Sequence, residues 1–356
     1  MAGGARARKE ARCAMALKYP NKKKREGFWK RYERADIKDY RKVWDTAMEF
    51  IDELEIPFEF HKRGRKPNLT KKEIVGMAIM YVYFGLDFRE VEHLLELIIE
   101  KQLDHSNCVR WFGKLTQEYV NNLIFKVHEV IIGIDNAGDY IADSTKLTCD
   151  RYHKVIRRGV EILELETWKI HIFVMYLFNL GLVSIVSIFS SKGEVNDCIP
   201  LRSIHLKKRK VIPCRKMHAD KGFFGKLNLK KCKNIGLIPN IVPHERIYSD
   251  AFIKRYVRNE YDDESRKKTR GLVESPFGGM ETESNMILKC RKPHHRNIYA
   301  CLMGLKHQLR TFMKASLVVL FHLFRTNPVL RNSSKKIFIY GQPYGKITQL
   351  KLSYFS

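Results

Sequence analysis

Tyr140-Ile141-Ala142-Asp143-Ser144-Thr145 alternates as a strand through Leu147, with Asp143 in the middle of an otherwise apolar run. A carboxylate buried there without a partner is costly, so Asp143 needs either a partner or a chemical role. Downstream, Lys169 to Phe178 and Leu182 to Phe189 are β-branched and aromatic, and Asn179-Leu180-Gly181 supplies the turn of a hairpin between them. Asn196-Asp197 then caps a helix through Leu201, Arg209 to Asp220 returns as a strand, Lys226 to Ile235 reads as helix, and Ile238 to Val242 as a short strand. That order predicts an α/β fold, a mixed sheet flanked by helices. Ile170 to Phe189 is long enough to cross a bilayer on a length count, but Asn179, Gly181, His171 and several serines interrupt it, which argues for the hairpin. Lys254 to Arg270 is charged and expected to be exposed; helix resumes from Asn297 through Leu323, and Lys336 to Tyr340 is strand-like.

Upstream of the strand the period changes to helical. Thr70-Lys71-Lys72-Glu73 forms a capping box ahead of Ile74, Met77, Ala78 and Tyr81. Asp87 is placed to cap a second helix carrying Val91, Leu94, Leu95 and Ile98. Ser106 is placed to cap a third, beginning Asn107-Cys108-Val109-Arg110-Trp111, whose first turn presents Asn107, Arg110 and Lys114 outward. The layout resembles a helix-turn-helix, although the same spacing suits an ordinary helical bundle. Met1 to Arg34 is rich in Arg, Lys and Gly and reads as a flexible basic arm. A second basic knot, Lys62-Arg63-Gly64-Arg65-Lys66-Pro67, offers Arg63 and Arg65 to a narrow minor groove, or serves as a solvated linker. The expected organisation is therefore a basic arm over 1–34, a helical, helix-turn-helix-like domain over 35–134, an α/β domain over 135–325 and a tail over 326–356.

The chain has 356 residues, with 66 Lys and Arg against 39 Asp and Glu for a net charge of +27, so polyanions are the first partners to consider. An apolar fraction of 44% with 11% aromatics excludes wholesale disorder. Eight cysteines are scattered singly without a Cys-x-x-Cys pair, which fits a reducing cytosol. The N-terminus lacks the apolar stretch and cleavage site of a secretory signal, so a cytoplasmic location is expected.

Two further carboxylates complement Asp143. Asp220 stands where Met217-His218-Ala219 gives way to Lys221-Gly222-Phe223, at the carboxyl end of a strand, where open α/β sheets place their ligands. Glu274 follows Arg270 by one helical turn. Three carboxylates from separate elements can bind hard divalent cations, and a pair of ions about 3.5 to 4 Å apart serves in-line phosphoryl displacement. Taken singly, each also reads more plainly: Asp143 as a salt-bridged core residue, Asp220 as a cap, Glu274 as a solvated helix acid. Cys214-x3-His218 with Cys290-x3-His294-His295 offers a zinc alternative, though the spacing is not that of a finger or ribbon.

Asp143-Ser144-Thr145, His218-Ala219-Asp220-Lys221-Gly222-Phe223, and Arg270-Gly271-Leu272-Val273-Glu274 with Phe277-Gly278 resemble, in that order, the three acidic motifs of the insertion-sequence DDE transposases of families four and five. The resemblance runs from about Leu69 to Phe324 and implies an RNase H-like catalytic domain preceded by a helical DNA-binding domain. It also implies Mg²⁺ or Mn²⁺, as two ions held by Asp143, Asp220 and Glu274. The implied reaction is metal-dependent cleavage at the terminal inverted repeats, followed by attack of the exposed 3′ hydroxyl on target DNA. Partners would be double-stranded DNA and a second copy in the synaptic complex, in a prokaryotic cytoplasm at the nucleoid, with no membrane. Lys221, Lys267 and Arg270 become phosphate-contact candidates, and Trp168 and Phe223 either wedge a base or pack in the core. Where the family often has Tyr and Lys around the third motif, this chain has Lys267 and Glu281, and Pro276 and Gly278-Gly279 argue against a continuous helix through Glu274. Glu281 or Glu283 could share the third role, and the alternative function is a catalytically inactive, transposase-derived DNA-binding protein.

Overall fold

The computed structural model describes residues 39–60, 68–101, 104–157, 160–193, 195–206, 211–244, 249–267, 269, 272, 276–277, 287–288, 290 and 292–326. The basic arm, the knot at 62–67 and the strand-like 336–340 lie outside the described residues.

Among the described residues five helices precede the sheet: α1 Tyr40–Asp52, α2 Lys71–Tyr83, α3 Phe88–Ile99, α4 His105–Phe112 and α5 Gln117–Ile134. The expected capping box is present on α2, where Thr70 Oγ1 accepts from Glu73 N at 3.2 Å and Glu73 Oε2 accepts from Thr70 N at 2.7 Å. Asp87 caps α3 in the same reciprocal way with Glu90. The third cap differs from expectation: α4 starts at His105, and Asp104, not Ser106, accepts the free N–H, that of Ser106 itself, at 2.7 Å. A carboxylate suits the positive end of a helix better than a hydroxyl does. α2 is buried continuously from Ile74 to Tyr83, because α1, α4 and the last helix all pack on it.

The sheet consists of β1 Gly138–Arg157, β2 Val160–Leu177, β3 Leu182–Lys192, β4 Lys216–Ala219 and β5 Ile238–Ile241, in the spatial order β3-β2-β1-β4-β5. The first three are antiparallel, and β4 and β5 run parallel to β1. β6, Ile287–Leu288, pairs parallel with β1 at Thr148 and Cys149. The run at Ile170 to Phe189 is thus the β2–β3 hairpin, and among the described residues no helix is long and apolar enough to cross a membrane. Its turn is held from outside. Asp135, buried just past α5, accepts from the N–H groups of Asn179 and Leu180 at 3.0 Å each, and Gly181 takes φ +64°.

Two expected elements are shorter than their patterns. β4 begins only at Lys216, since residues 213–214 form a turn in which Cys214 has φ +61°. The segment after β3 is α-helical only over Cys198–Pro200 and continues as a wider π turn over Leu201–His205. After β4 come α6 Lys226–Asn234, α7 Ala251–Asn259 and the long α8 Pro293–Thr326. α7 falls in the segment expected to be exposed, yet it buries Tyr256, whose hydroxyl donates to Ile241 O at 2.7 Å.

β3 is an edge strand, and its outer backbone groups are satisfied by side-chain amides from the helices. Gln117 and Asn121 of α5 each both donate and accept, to Ser190 and Ile188 respectively, imitating one more strand. From α8, Gln308 Oε1 accepts from Ile185 N at 2.6 Å and Thr311 Oγ1 donates to Val183 O at 3.3 Å. An open edge invites pairing with other chains, and this cover removes it. The other anchor of α8 is Arg296, which is buried, pairs with Glu166, donates from Nε to Cys290 O at 2.7 Å and lies 5.1 Å from the Trp168 ring centroid. Replacing Asn121 with Ala leaves the N–H and carbonyl of Ile188 unsatisfied in a buried seam, and should cost about 2–4 kcal/mol in urea unfolding. The same variant should show concentration-dependent self-association by light scattering.

Candidate active site

The register between β1 and β4 sets the geometry. Tyr140, Ile141 and Ala142 pair in parallel with Met217, His218 and Ala219, so Asp143 and Asp220 are the next residues on neighbouring chains. Asp220 continues extended, with φ −73° and ψ 168°. Adjacent strands lie about 5 Å apart, so the register, continued by one residue, makes Asp143 and Asp220 backbone neighbours on one face at the carboxyl end of β4. Asp143 is partly exposed, and its Oδ1 accepts from Ser144 N at 2.7 Å. Asp220 precedes a single 3₁₀ turn, Lys221–Phe223, but its carboxylate makes no cap hydrogen bond there. Arg266 Nη1 instead lies 3.2 Å from its Oδ1, and that guanidinium is held from behind by Asp263.

Beneath this rim the floor is closed. Met217, His218 and Ala219 are buried, and the His218 ring is fixed between Asp139 Oδ2 at 3.5 Å and the Asn240 amide at 3.1 Å. Because the Asn240 NH₂ can only donate, Nδ1 is the acceptor and Nε2 carries the proton toward Asp139. Asn240 is tied in turn to the backbone of Asp262 at both ends of its amide. His218 therefore hydrogen-bonds beside the acidic motif rather than ligating with Cys214, which is exposed in its turn.

A third carboxylate belongs to the same neighbourhood. Asn196-Asp197 is expected to cap the short helix, and of the two it is Asn196 whose Oδ1 accepts from Cys198 N, at 3.0 Å, while Asp197 makes no cap hydrogen bond. Asp197 Oδ1 instead sits 2.8 Å from Lys169 Nζ and 3.1 Å from His171 Nδ1, both on β2. Burial alone would raise its pKa; contacts with His171, Lys169 and Ser144 outweigh burial and hold the carboxyl down at about 2. A lysine and a histidine two residues apart in an otherwise apolar strand are the sequence signal for this cluster, but nothing local names their partner.

The other expected site residues are dispersed. Asn107, Arg110 and Lys114 are exposed on or just after α4, with Arg110 lying 5.7 Å from the Trp111 ring centroid. Lys221 is exposed next to Asp220. Lys267 is exposed and pairs with Asp263 at 2.6 Å. Trp168 and Phe223 are each 1% exposed, so both pack in the core. Arg63, Arg65, Arg270, Glu274, Glu281 and Glu283 lie outside the described residues. Among the described residues, no group of three His, Cys, Asp or Glu side chains is arranged to hold a metal ion. Asp143 and Asp220 do offer oxygen donors of the type hard cations select, and the guanidinium on Asp220 marks a place where positive charge is already drawn.

The Asp197 cluster makes acid stability testable. The folded carboxyl binds its proton more weakly than the unfolded one, whose pKa is about 4, so its contribution is complete above that value and disappears as pH falls toward 2. Asp197→Asn should lose roughly 2 kcal/mol in urea unfolding at pH 7, and the gap to wild type should narrow steadily below pH 4. Neither the family models nor the curated proteins compared with this chain include a match.

Proposed function

We propose that this chain is a DDE-type DNA transposase that cleaves the ends of its own element and joins the freed 3′ hydroxyl to target DNA. One observation carries the reading: the parallel register of β1 and β4 that sets Asp143 beside Asp220 at the sheet's rim. The mixed sheet, three antiparallel strands extended by two parallel ones and flanked by helices, supports an RNase H-like reading of this domain. The net charge of +27 supports a polyanionic substrate.

Asp143 and Asp220, with Glu274, would hold Mg²⁺ or Mn²⁺. Bound there, such ions activate the attacking oxygen and stabilise the leaving one. The chain's own groups do the positioning. Lys221, exposed beside Asp220, is placed to meet a phosphate of the scissile strand. Arg266 offsets the charge of Asp220 until DNA and cations arrive. The buried His218–Asn240 floor keeps β4 from shifting under the site. Water is the nucleophile in the first step and the DNA hydroxyl in the second, so no covalent protein intermediate is needed. Asn107, Arg110 and Lys114, exposed at α4, would read or grip the end sequence, and pairing of two ends calls for two copies.

Asp143→Asn and Asp220→Asn should each abolish metal-dependent nicking of DNA carrying the element's ends while leaving end binding within about twofold in a mobility-shift assay. If both variants still cut, the site is misassigned. Binding should weaken with salt at a log–log slope of about −0.9 per neutralised phosphate. The inactive DNA-binding reading draws on Glu281 and Pro276 around the third motif. It predicts the same salt slope with no nicking by the wild-type protein in Mg²⁺ or Mn²⁺.

A further inference from the structure

Asp197 touches both acidic motifs without belonging to either. On one side its carboxylate meets Ser144, the residue after Asp143. On the other it presses against Gly222, two residues after Asp220: a β-carbon at that glycine would fall 2.6 Å from Asp197 Oδ2, closer than real side chains come. Its neighbour Cys198 reinforces the second contact, with Sγ 3.4 Å from Gly222 O and 3.2 Å from Phe224 O. The segment 197–198 therefore spans the space between the end of the first motif and the loop of the second, and Lys169 and His171 hold it to β2.

Two roles are open to such a carboxylate. As a third cation ligand it would need free lone pairs aimed at the Asp143–Asp220 rim. Its charge is instead already countered by Lys169, and its second oxygen lies against Gly222. We infer that Asp197 is a positioning residue, an ion-paired strut that fixes the loop Asp220–Phe224 against β1 so that Asp143 and Asp220 can share one cation. The inference rests on the proposed cleavage activity and deepens it. It also assigns a reason to the glycine of Asp220-Lys221-Gly222: close approach of the Asp197 carboxylate leaves no room for a side chain.

The test uses full-length protein, Mn²⁺ as the probe and a plasmid carrying the DNA that flanks the reading frame. Mn²⁺ binding is read by electron paramagnetic resonance and nicking by gel, at a temperature where circular dichroism shows every variant folded. Asp197→Ala and Gly222→Ala should each weaken Mn²⁺ binding and raise the Mn²⁺ needed for half-maximal nicking, by roughly tenfold to a hundredfold. KM for the plasmid should stay within about twofold of wild type, because neither residue grips DNA. The pair should be strongly non-additive: Asp197→Ala with Gly222→Ala should be no worse than the more damaged single variant, since removing the carboxylate relieves the clash. Wild-type Mn²⁺ dependence in both single variants, or additive losses in the double, would overturn the strut while leaving the cleavage reading intact. A wild-type protein that neither binds Mn²⁺ nor nicks would overturn the cleavage reading, and the strut with it.

Discussion

Three consecutive residue pairs between β1 and β4 bear more of this structure's meaning than any other contact. Parallel pairing gives each residue one lateral neighbour, and side chains alternate faces with a period of two, so slipping β4 by one residue would send Asp220 to the opposite face from Asp143. The register is held from several directions. The Asp139 carboxylate accepts from Lys216 N at 3.0 Å at one end of β4, the His218 ring is clasped between Asp139 and Asn240, and β5 closes the far side. Each lock is a buried or half-buried hydrogen bond whose loss would leave a polar group stranded, which makes the arrangement discrete rather than sliding.

The helices complete the sheet on its other flank. β3 would be an exposed edge, yet Gln117, Asn121, Gln308 and Thr311 meet its backbone as a neighbouring strand would. Because those side chains come from α5 and α8, one long C-terminal helix joins the N-terminal helices to the sheet: it packs on α2, on α5 and on β3. Specificity here comes from amide geometry, which recognises a strand edge at one register only, whereas apolar packing alone would tolerate sliding.

The acidic residues divide by how their charge is met. Asp197 and Glu166 are both held near a pKa of about 2, Glu166 by Lys192 and Arg296, and both serve to join elements. Asp220 keeps a looser partner in Arg266, shared with Asp263, at a partly exposed rim. A carboxylate already paired and enclosed contributes to architecture; one at a rim with a shared, displaceable cation is the kind that chemistry can use.

Much of this was legible in the residues themselves. The residue pattern marked β1 over Tyr140 to Leu147, β2 from Lys169, β3 and β5, but not the extension of β1 to Arg157 or the start of β2 at Val160; Thr70 and Asp87 announced their helices, because a cap is a local hydrogen bond between residues three apart. Asp143 and Asp220 stood out because carboxylates at the heart and at the end of apolar strands are physically expensive. Where reading along the chain failed, the competing interaction was distant. Asn196-Asp197 follows a strand and precedes a short helix, which marks a cap; Asn196 takes that role, while Lys169 and His171 from another strand draw the oxygens of Asp197 away from the backbone. Arg266 carries the same charge as its neighbours Lys267 and Arg270, and nothing in a charged segment says which cation turns inward to Asp220. The sequence by itself determined which segments become strands and helices and which carboxylates cannot be ornamental, because those depend on period and local energetics. Only the tertiary structure decided that 143 and 220 are neighbours in register and that Asp197 reaches Lys169, His171 and Gly222, because adjacency between residues far apart in the chain is set by strand register and by ion pairs that form after the sheet has closed.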